Sequence, residues 1–344
     1  MNESPLPRLP EKCRVTLLAL GDVGSTLLLG LRLLGGDVIR SIGICDVRPG
    51  AAERWEFELN QIQSPDGAVM PPVDIIPPEK LFDGDVFLFC ASRMVPDTSV
   101  TQGDVRMAQY ALNRELVASY SRMAREKAYR GLFCVVSDPV DPLCRAALRE
   151  SGLAPAQVRG FGLGVMHARA MYYAGKDGRF ASYLTEGRAF GPHGEDLVLA
   201  NSIEHYDDAL SRELTEKVAH ANLEMRRLGY KPYAAPALSS GALSLLCLLR
   251  GEWHYSSVFD GQVFMGCRNR LTPEGIEQAL LRQNMTTRVE TALKDTALVT
   301  GPDGVTDYVI PEFRLTDFSA PLGRSYEIRF RILFPNAEQW ITEQ

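Results

Sequence analysis

Apolar and polar positions along the chain follow two rhythms. Arg14–Leu20, Val38–Asp46, the run DVFLFCA within Leu81–Ala91, and Leu132–Ser137 are short, continuous apolar stretches. Continuous rather than alternating runs predict strands covered on both faces. Ser25–Leu34 carries its apolar residues at helical spacing, and Asp104–Arg130 does the same with Met107, Ala108, Ala111, Leu112, Leu116 and Tyr120. Strands alternating with helices predict an α/β fold with a doubly wound parallel sheet. Past about residue 150 the texture changes. Asp207–Leu228 reads as one long helix with charge on one face, Ala237–Leu249 as a more apolar helix, and residues 255–344 as strand-rich, with alternating stretches such as YEIRFRILF. The expected division is an α/β unit over 1–145 and an α+β unit over 146–344. The proline-rich piece around 71–78 (PPVDIIPP) is expected to be a connection inside the first unit.

Composition narrows the function classes. A chain of 344 residues is long enough for two cores, since single cores stop growing near about 250–300 residues. Lys and Arg number 37 against 43 Asp and Glu, a net charge of −6. A general binder of nucleic acid or anionic membrane needs a basic surface instead. The cluster Arg122, Arg125, Lys127, Arg130 is most simply a solvated helix face. The seven cysteines include no C-x-x-C pair and several sit inside apolar runs, so buried free thiols in a reducing compartment are expected. The polar, proline-rich MNESPLPRLPEK is not a secretory signal. The apolar stretch that follows is broken by Asp22, Arg32 and several glycines, which a membrane span tolerates poorly. The expectation is a cytoplasmic protein without nucleic-acid or membrane partners.

Five short motifs carry candidate chemistry. Ala19-Leu20-Gly21-Asp22-Val23-Gly24 is a strand-to-helix turn. Its glycines suit a tight turn and close approach of backbone to a pyrophosphate at a helix N-terminus. Asp46 ends the second strand where an acidic residue can take ribose hydroxyls. A tight turn in a domain that binds no nucleotide would read the same way. Cys90-Ala91-Ser92 opens a long loop that leads to Gly103, Arg106 and Asn113. Val136-Ser137-Asp138-Pro139-Val140-Asp141 runs from a strand into a proline turn, at the strand end where such folds bind ligands. Asp138 suits a helix N-cap equally well. Gly162-x-x-x-Met166-His167-Ala168-Arg169 places an arginine able to fork onto a carboxylate, or an ordinary surface arginine. Gly191-Pro192-His193-Gly194-Glu195-Asp196 sets a histidine between glycines, exposed or facing a cleft. The five histidines form no ligand pair at helical spacing with a nearby carboxylate, so no metal site is expected.

In this order along nearly the whole chain, these motifs resemble the L-lactate/malate dehydrogenase family. The resemblance implies a Rossmann-type dinucleotide-binding domain followed by an α+β substrate domain, an NAD cofactor, a small carboxylic-acid substrate and a homo-dimer or homo-tetramer. It implies hydride transfer between nicotinamide and a 2-hydroxy or 2-oxo acid. Arg106 would polarise the carbonyl, His193 would exchange its proton, and Arg169 would grip the carboxylate. Gly21, Asp22, Val23, Gly24, Asp46, Ala91, Ser92, Asn113 and Ser137 would line the cofactor site. Asp46 would disfavour the extra phosphate of NADP, with Arg48 nearby pulling the other way.

The departures from the family pattern are as informative. The first glycine of the turn is Ala19, and Asp22 brings a negative charge toward the expected phosphates, worth roughly 1–4 kcal/mol at 4 Å if it points inward. The aspartate that in the family orients the histidine is Met166 here, while the asparagine of the proline turn is Asp138. A relocated carboxylate follows as a hypothesis, with Asp138 serving as substrate contact and as partner of His193. An anionic Asp138 would disfavour a plain 2-oxo acid. The loop from Ser92 to Gln102 is longer than the family's, and Lys231-Pro232-Tyr233-Ala234 stands where the family offers a small hydroxyl residue. These differences point to a substrate other than plain lactate or malate. The alternative is a non-catalytic relative that binds a nucleotide or metabolite.

Overall fold

The structure, a computed structural model, describes residues 9–93, 110–193, 197–259, 263–273 and 275–278, and beyond these only the backbone of 288–300, 306–319, 325–331 and 341–342. The elements of the first half are β1 (Cys13–Leu18), α1 (Asp22–Leu34), β2 (Ile39–Cys45), α2 (Ala51–Asn60), β3 (Val73–Ile75), β4 (Val86–Phe89), α3 (Tyr110–Glu126), β5 (Leu132–Val135) and α4 (Val140–Ser151). Then come β6 (Val158–Gly160), α5 (Leu163–Lys176), α6 (Tyr183–Glu186), β7 (Arg188–Phe190), β8 (Val198–Ala200), α7 (Asp208–Ala219) and α8 (Ala221–Arg227). A π-helical segment, Pro236–Leu243, runs into α9 (Ser244–Leu249), followed by β9 (His254–Phe259), β10 (Phe264–Thr272) and β11 (Gly275–Gln278). The last strands are β12 (Arg288–Thr300), β13 (Thr306–Ser319), β14 (Ser325–Arg331) and β15 (Ile341–Thr342).

The continuous apolar runs become the centre of a nine-stranded sheet. Six parallel strands stand in the order β3-β2-β1-β4-β5-β6, and β9, β10 and β11 extend the sheet antiparallel beyond β6. The fold is therefore α/β with a doubly wound parallel sheet, and the sheet draws strands from both sides of residue 145. Alternation along each strand sends neighbours to opposite cores. Val15, Leu17, Val86, Leu88, Leu132 and Cys134 pack beneath α1 and α9. Leu18, Phe87, Phe89, Phe133 and Val135 pack beneath α3 and α4. A third core gathers Leu163, Val165 and Met166 of α5 with Tyr183, Leu199 and Leu214. A separate antiparallel sheet, β14-β13-β12-β15, accounts for the strand-rich C-terminal pattern.

Several expectations need adjustment. The expected long helix over 207–228 is two, because the backbone turns at His220, which ends α7 and precedes α8. The helix over 237–249 begins as a π-helix. The proline-rich connection contains the short edge strand β3. Helix α1 starts at Asp22, with Gly21 as its N-cap, so the glycine turn is tighter than the spacing suggested. All seven cysteines are free thiols, five of them buried. Among the described residues no helix is long and apolar enough to cross a membrane.

Candidate active site

The strand order reverses between β1 and β4, where a doubly wound sheet leaves a crevice at the carboxyl ends of its strands. A cavity of about 590 Å³ occupies that position. The Gly21–Gly24 turn, Asp46, Ala91, Ser92, Ser137 and Asp138 line it from the first half, and Arg169 and His193 from the second. The crevice thus collects residues that lie up to 218 positions apart in the sequence, from Leu18 to Pro236. Arg106 lies outside the described residues.

At the glycine turn the geometry is set by the backbone. Ala19 sits at φ 75°, the left-handed region that glycine occupies most readily. Its carbonyl oxygen lies only 2.0 Å from where a Cβ on residue 24 would stand, so Gly24 is required. Gly21 faces open space, and no side chain caps the first turn of α1. The helix therefore presents its N-terminal amides, and the positive end of its dipole, toward the crevice. Asp22 does not stand alone there. Lys231 reaches across from the second half and approaches its carboxylate at 3.6 Å. This arrangement fits the pyrophosphate of a dinucleotide.

Asp46 is turned inward and engaged. Its Oδ2 accepts from the Leu20 amide at 2.6 Å and from Arg48 Nη2 at 2.9 Å, and its Oδ1 accepts from the Arg48 amide at 2.8 Å and Nε at 3.0 Å. Burial opposes the charge, but the donors from Arg48 and Leu20 outweigh it and hold the carboxyl below its usual range. Asn113 is fully buried and is not among the cavity-lining residues. Its Nδ2 donates to the Asp138 carbonyl at 2.8 Å, and its Oδ1 accepts from the Arg93 amide at 3.0 Å and the Ser92 hydroxyl at 3.3 Å. It joins the loop after β4 to the loop after β5 and thereby fixes the backbone of Asp138.

The other end of the cavity holds the acid–base candidates. His193 Nδ1 and Asp138 Oδ1 are 3.1 Å apart, a histidine–carboxylate pair spanning 55 positions. The His193 side chain is only 9% exposed. Its Cβ packs against Gly162, where an added Cβ would meet it at 2.7 Å, so that glycine makes room for the imidazole. Met166 lies in the third core, and its Sδ accepts from Arg169 Nη1 at 3.5 Å. Behind Asp138, Asp141 is buried in the first turn of α4 and accepts a short hydrogen bond from the Ser257 hydroxyl. Burial, with a further contribution from Asp138, pushes its carboxyl up to about 7. Cys90 also lines the cavity, but burial raises its thiol to about 12, which leaves it protonated and poorly nucleophilic.

Sequence reasoning missed part of the wall. Asn222 and Arg226, one helical turn apart on α8, face the cavity together with Pro236, while Leu116 and Tyr120 of α3 close another side. The i, i+4 spacing of Asn222 and Arg226 was visible, but nothing local tied α8 to the crevice. Among the described residues no group of three or more His, Cys, Asp or Glu is placed to hold a metal ion.

The chain thus presents a dinucleotide-type α/β crevice with a histidine–carboxylate pair and an arginine at its inner end. No protein-family model matches the chain. Among curated proteins it is similar to an L-lactate dehydrogenase of Treponema denticola, 28% identical over 195 residues that cover 56% of this chain and 58% of that protein. It is also similar to an L-lactate dehydrogenase of Mesomycoplasma hyopneumoniae, 24% identical over 192 residues, 55% of this chain and 58% of that one. The match therefore spans little more than half the length of these relatives. Among solved structures, a malate dehydrogenase from Cryptosporidium parvum aligns with a TM-score of 0.64 at 17% identity, covering 80% of this chain and 92% of its own. A minor L-lactate dehydrogenase from Enterococcus mundtii aligns with a TM-score of 0.63 at 19% identity, covering 78% and 90%. The fold is shared with these enzymes. The resemblance to the L-lactate/malate dehydrogenase family is borne out, at the distance of a divergent relative.

Proposed function

We propose that the chain is an NAD-dependent 2-hydroxyacid dehydrogenase in which Asp138 has taken over the task of orienting the catalytic histidine. The observation that carries this reading is the 3.1 Å contact between His193 Nδ1 and Asp138 Oδ1, in one cavity with Arg169 and the glycine turn. The turn and the N-terminus of α1 would hold the pyrophosphate, with Ala91, Ser92 and Ser137 along the floor. Bound there, a nicotinamide dinucleotide supplies or accepts the hydride. Arg169 would grip the substrate carboxylate through its forked guanidinium.

His193 would move the proton. With Nδ1–H donated to Asp138, Nε2 is the nitrogen at which the proton is carried. The Asp138 carboxylate stabilises the doubly protonated ring before the proton passes to the substrate oxygen, and it fixes the imidazole orientation throughout. Arg106 takes the polarising role by resemblance. Because Asp138 adds negative charge where the family carries an asparagine, a substrate with an extra donor or cation suits the site better than plain lactate or malate. A cytoplasmic homo-dimer or homo-tetramer and a boundary near 145/146 between cofactor and substrate units belong to the same reading.

The test is a screen of 2-oxo acids for oxidation of NADH, followed at the nicotinamide absorbance band. Turnover that depends on the acid and disappears in His193→Asn supports the reading. NADH binding with silence across the screen would instead favour the non-catalytic relative, for which Met166 at the family's aspartate position is the supporting observation.

A further inference from the structure

We propose that Arg48, rather than Asp46, meets the adenosine ribose, and that the crevice accepts a 2′-phosphorylated dinucleotide at least as readily as the unphosphorylated one. This rests on the dinucleotide reading above and revises its cofactor from NAD alone to either dinucleotide. An acidic residue at the end of the second strand selects a bare ribose by accepting hydrogen bonds from its hydroxyls, whereas an arginine nearby accommodates a 2′-phosphate. A carboxylate offers about four acceptor sites. In Asp46 all four directions are taken, one by the Leu20 amide and three by Arg48 through its amide, Nε and Nη2. A ribose diol would have to displace a charge-assisted, forked pair to reach that carboxylate. It would also loosen the β1–α1 turn, which Asp46 fastens through Leu20.

The guanidinium is in the opposite situation. The Arg48 side chain is 58% exposed against 3% for Asp46, and it lines the cavity while Asp46 holds one edge of it in place. The fork onto Asp46 uses Nε and Nη2, and a planar guanidinium suits phosphate oxygens. The surrounding charge is balanced. Asp22 is paired with Lys231, and its field also reaches Arg48, so two acids at this rim face two bases. An incoming phosphate therefore meets no uncompensated carboxylate, and the fork onto Asp46 holds Arg48 at the cavity wall in advance.

The test is calorimetric titration of the full chain with NADH and NADPH, repeated with ADP-ribose and 2′-phospho-ADP-ribose so that binding is read without turnover. The expected result is NADPH affinity equal to or greater than that for NADH. Arg48→Ala should weaken the phosphorylated ligands by at least about tenfold, the loss of one charged hydrogen bond or more, and leave the unphosphorylated ones unchanged or tighter. Arg48→Lys, which keeps the charge without the fork, should fall between. Thermal melts of both variants check that the exposed substitution leaves the fold intact. NADH binding about 100-fold tighter than NADPH, with a ratio that Arg48→Ala does not move, would overturn the inference and leave the dinucleotide reading standing. Absence of binding by all four ligands would overturn both.

Discussion

The two ends of the crevice have departed from the same family pattern in different ways. At the glycine turn the residue has changed and the backbone has not. Ala19 holds φ 75°, the conformation a glycine would supply, and Gly24 still allows the close approach. At the histidine the residue has changed and the neighbouring carboxylate is supplied from elsewhere. Met166 is buried in a core, and the carboxylate at His193 Nδ1 comes from Asp138 on another loop. A task performed by backbone tolerates a side-chain substitution at a cost of about 1–2 kcal/mol in strain. A task performed by a carboxylate requires another carboxylate within hydrogen-bond reach, wherever the chain can supply one.

The contrast can be broken most decisively at Asp138. In the dehydrogenase assay, Asp138→Asn is expected to lower kcat by about 10³–10⁴-fold, as when other histidine–carboxylate units are cut. The variant should melt close to the parent, and undiminished turnover would show that the carboxylate has no orienting role.

Asp141 tests the ground behind that pair. Its folded pKa of about 7 lies above the unfolded value of 3.8, so the folded state holds a proton that the unfolded state has lost across this window. This group's contribution to stability therefore falls as pH rises from about 4 to 7. His167 and His254, both lowered to about 4 by burial, act in the opposite sense between about 4 and 6.5. Comparing Asp141→Asn with the parent cancels the histidine contribution. The variant should gain on the parent in urea melts as pH is raised from 4 to 8, by up to about 4 kcal/mol. Parallel stability curves would place the Asp141 titration elsewhere.

Smaller effects sharpen the comparison at the glycines. Gly162→Ala forces its Cβ against His193 Cβ at 2.7 Å and Val140 Cγ2 at 3.0 Å, and should cost about 1–3 kcal/mol in a urea melt. A displaced His193 should also shift its imidazole resonances in the NMR spectrum. Ala19→Gly should do the reverse at the other end, relieving the left-handed strain for a gain of about 0.5–1 kcal/mol after the extra chain entropy of glycine. A loss of stability there would mean that the alanine methyl packs better than its backbone angle suggests.

Legibility in the sequence divides along similar lines. The central strands β1, β2, β4 and β5 were readable because each is apolar on both faces. Strand β6 was not, since it is the three-residue Val-Arg-Gly in which Arg159 is fully buried and its guanidinium nitrogens have no hydrogen-bond partner among the described residues. Burial lowers that guanidinium to about 10, a cost no hydrophobic pattern anticipates. Helices α2, α4 and α5 were likewise not identified as elements, because their apolar residues are interrupted by charge or run into neighbouring turns. The candidate site residues were named from motif order, and eleven of the thirteen line one cavity. Asn113 lies beneath it, and Arg106 falls outside the described residues.

What the sequence determined by itself is what local physics controls: strand and helix rhythm, the glycine turn, and the types of residue carried by each loop. Tertiary structure alone decided the allegiances among those residues. Asp138 could have capped α4, and Asp46 could have faced a ribose. The choices were made by His193 arriving from 55 positions away and by the Leu20 amide, 26 positions away, donating to Asp46. Such choices depend on through-space distance and on which acceptors are already filled, and neither quantity is encoded in any window of the chain.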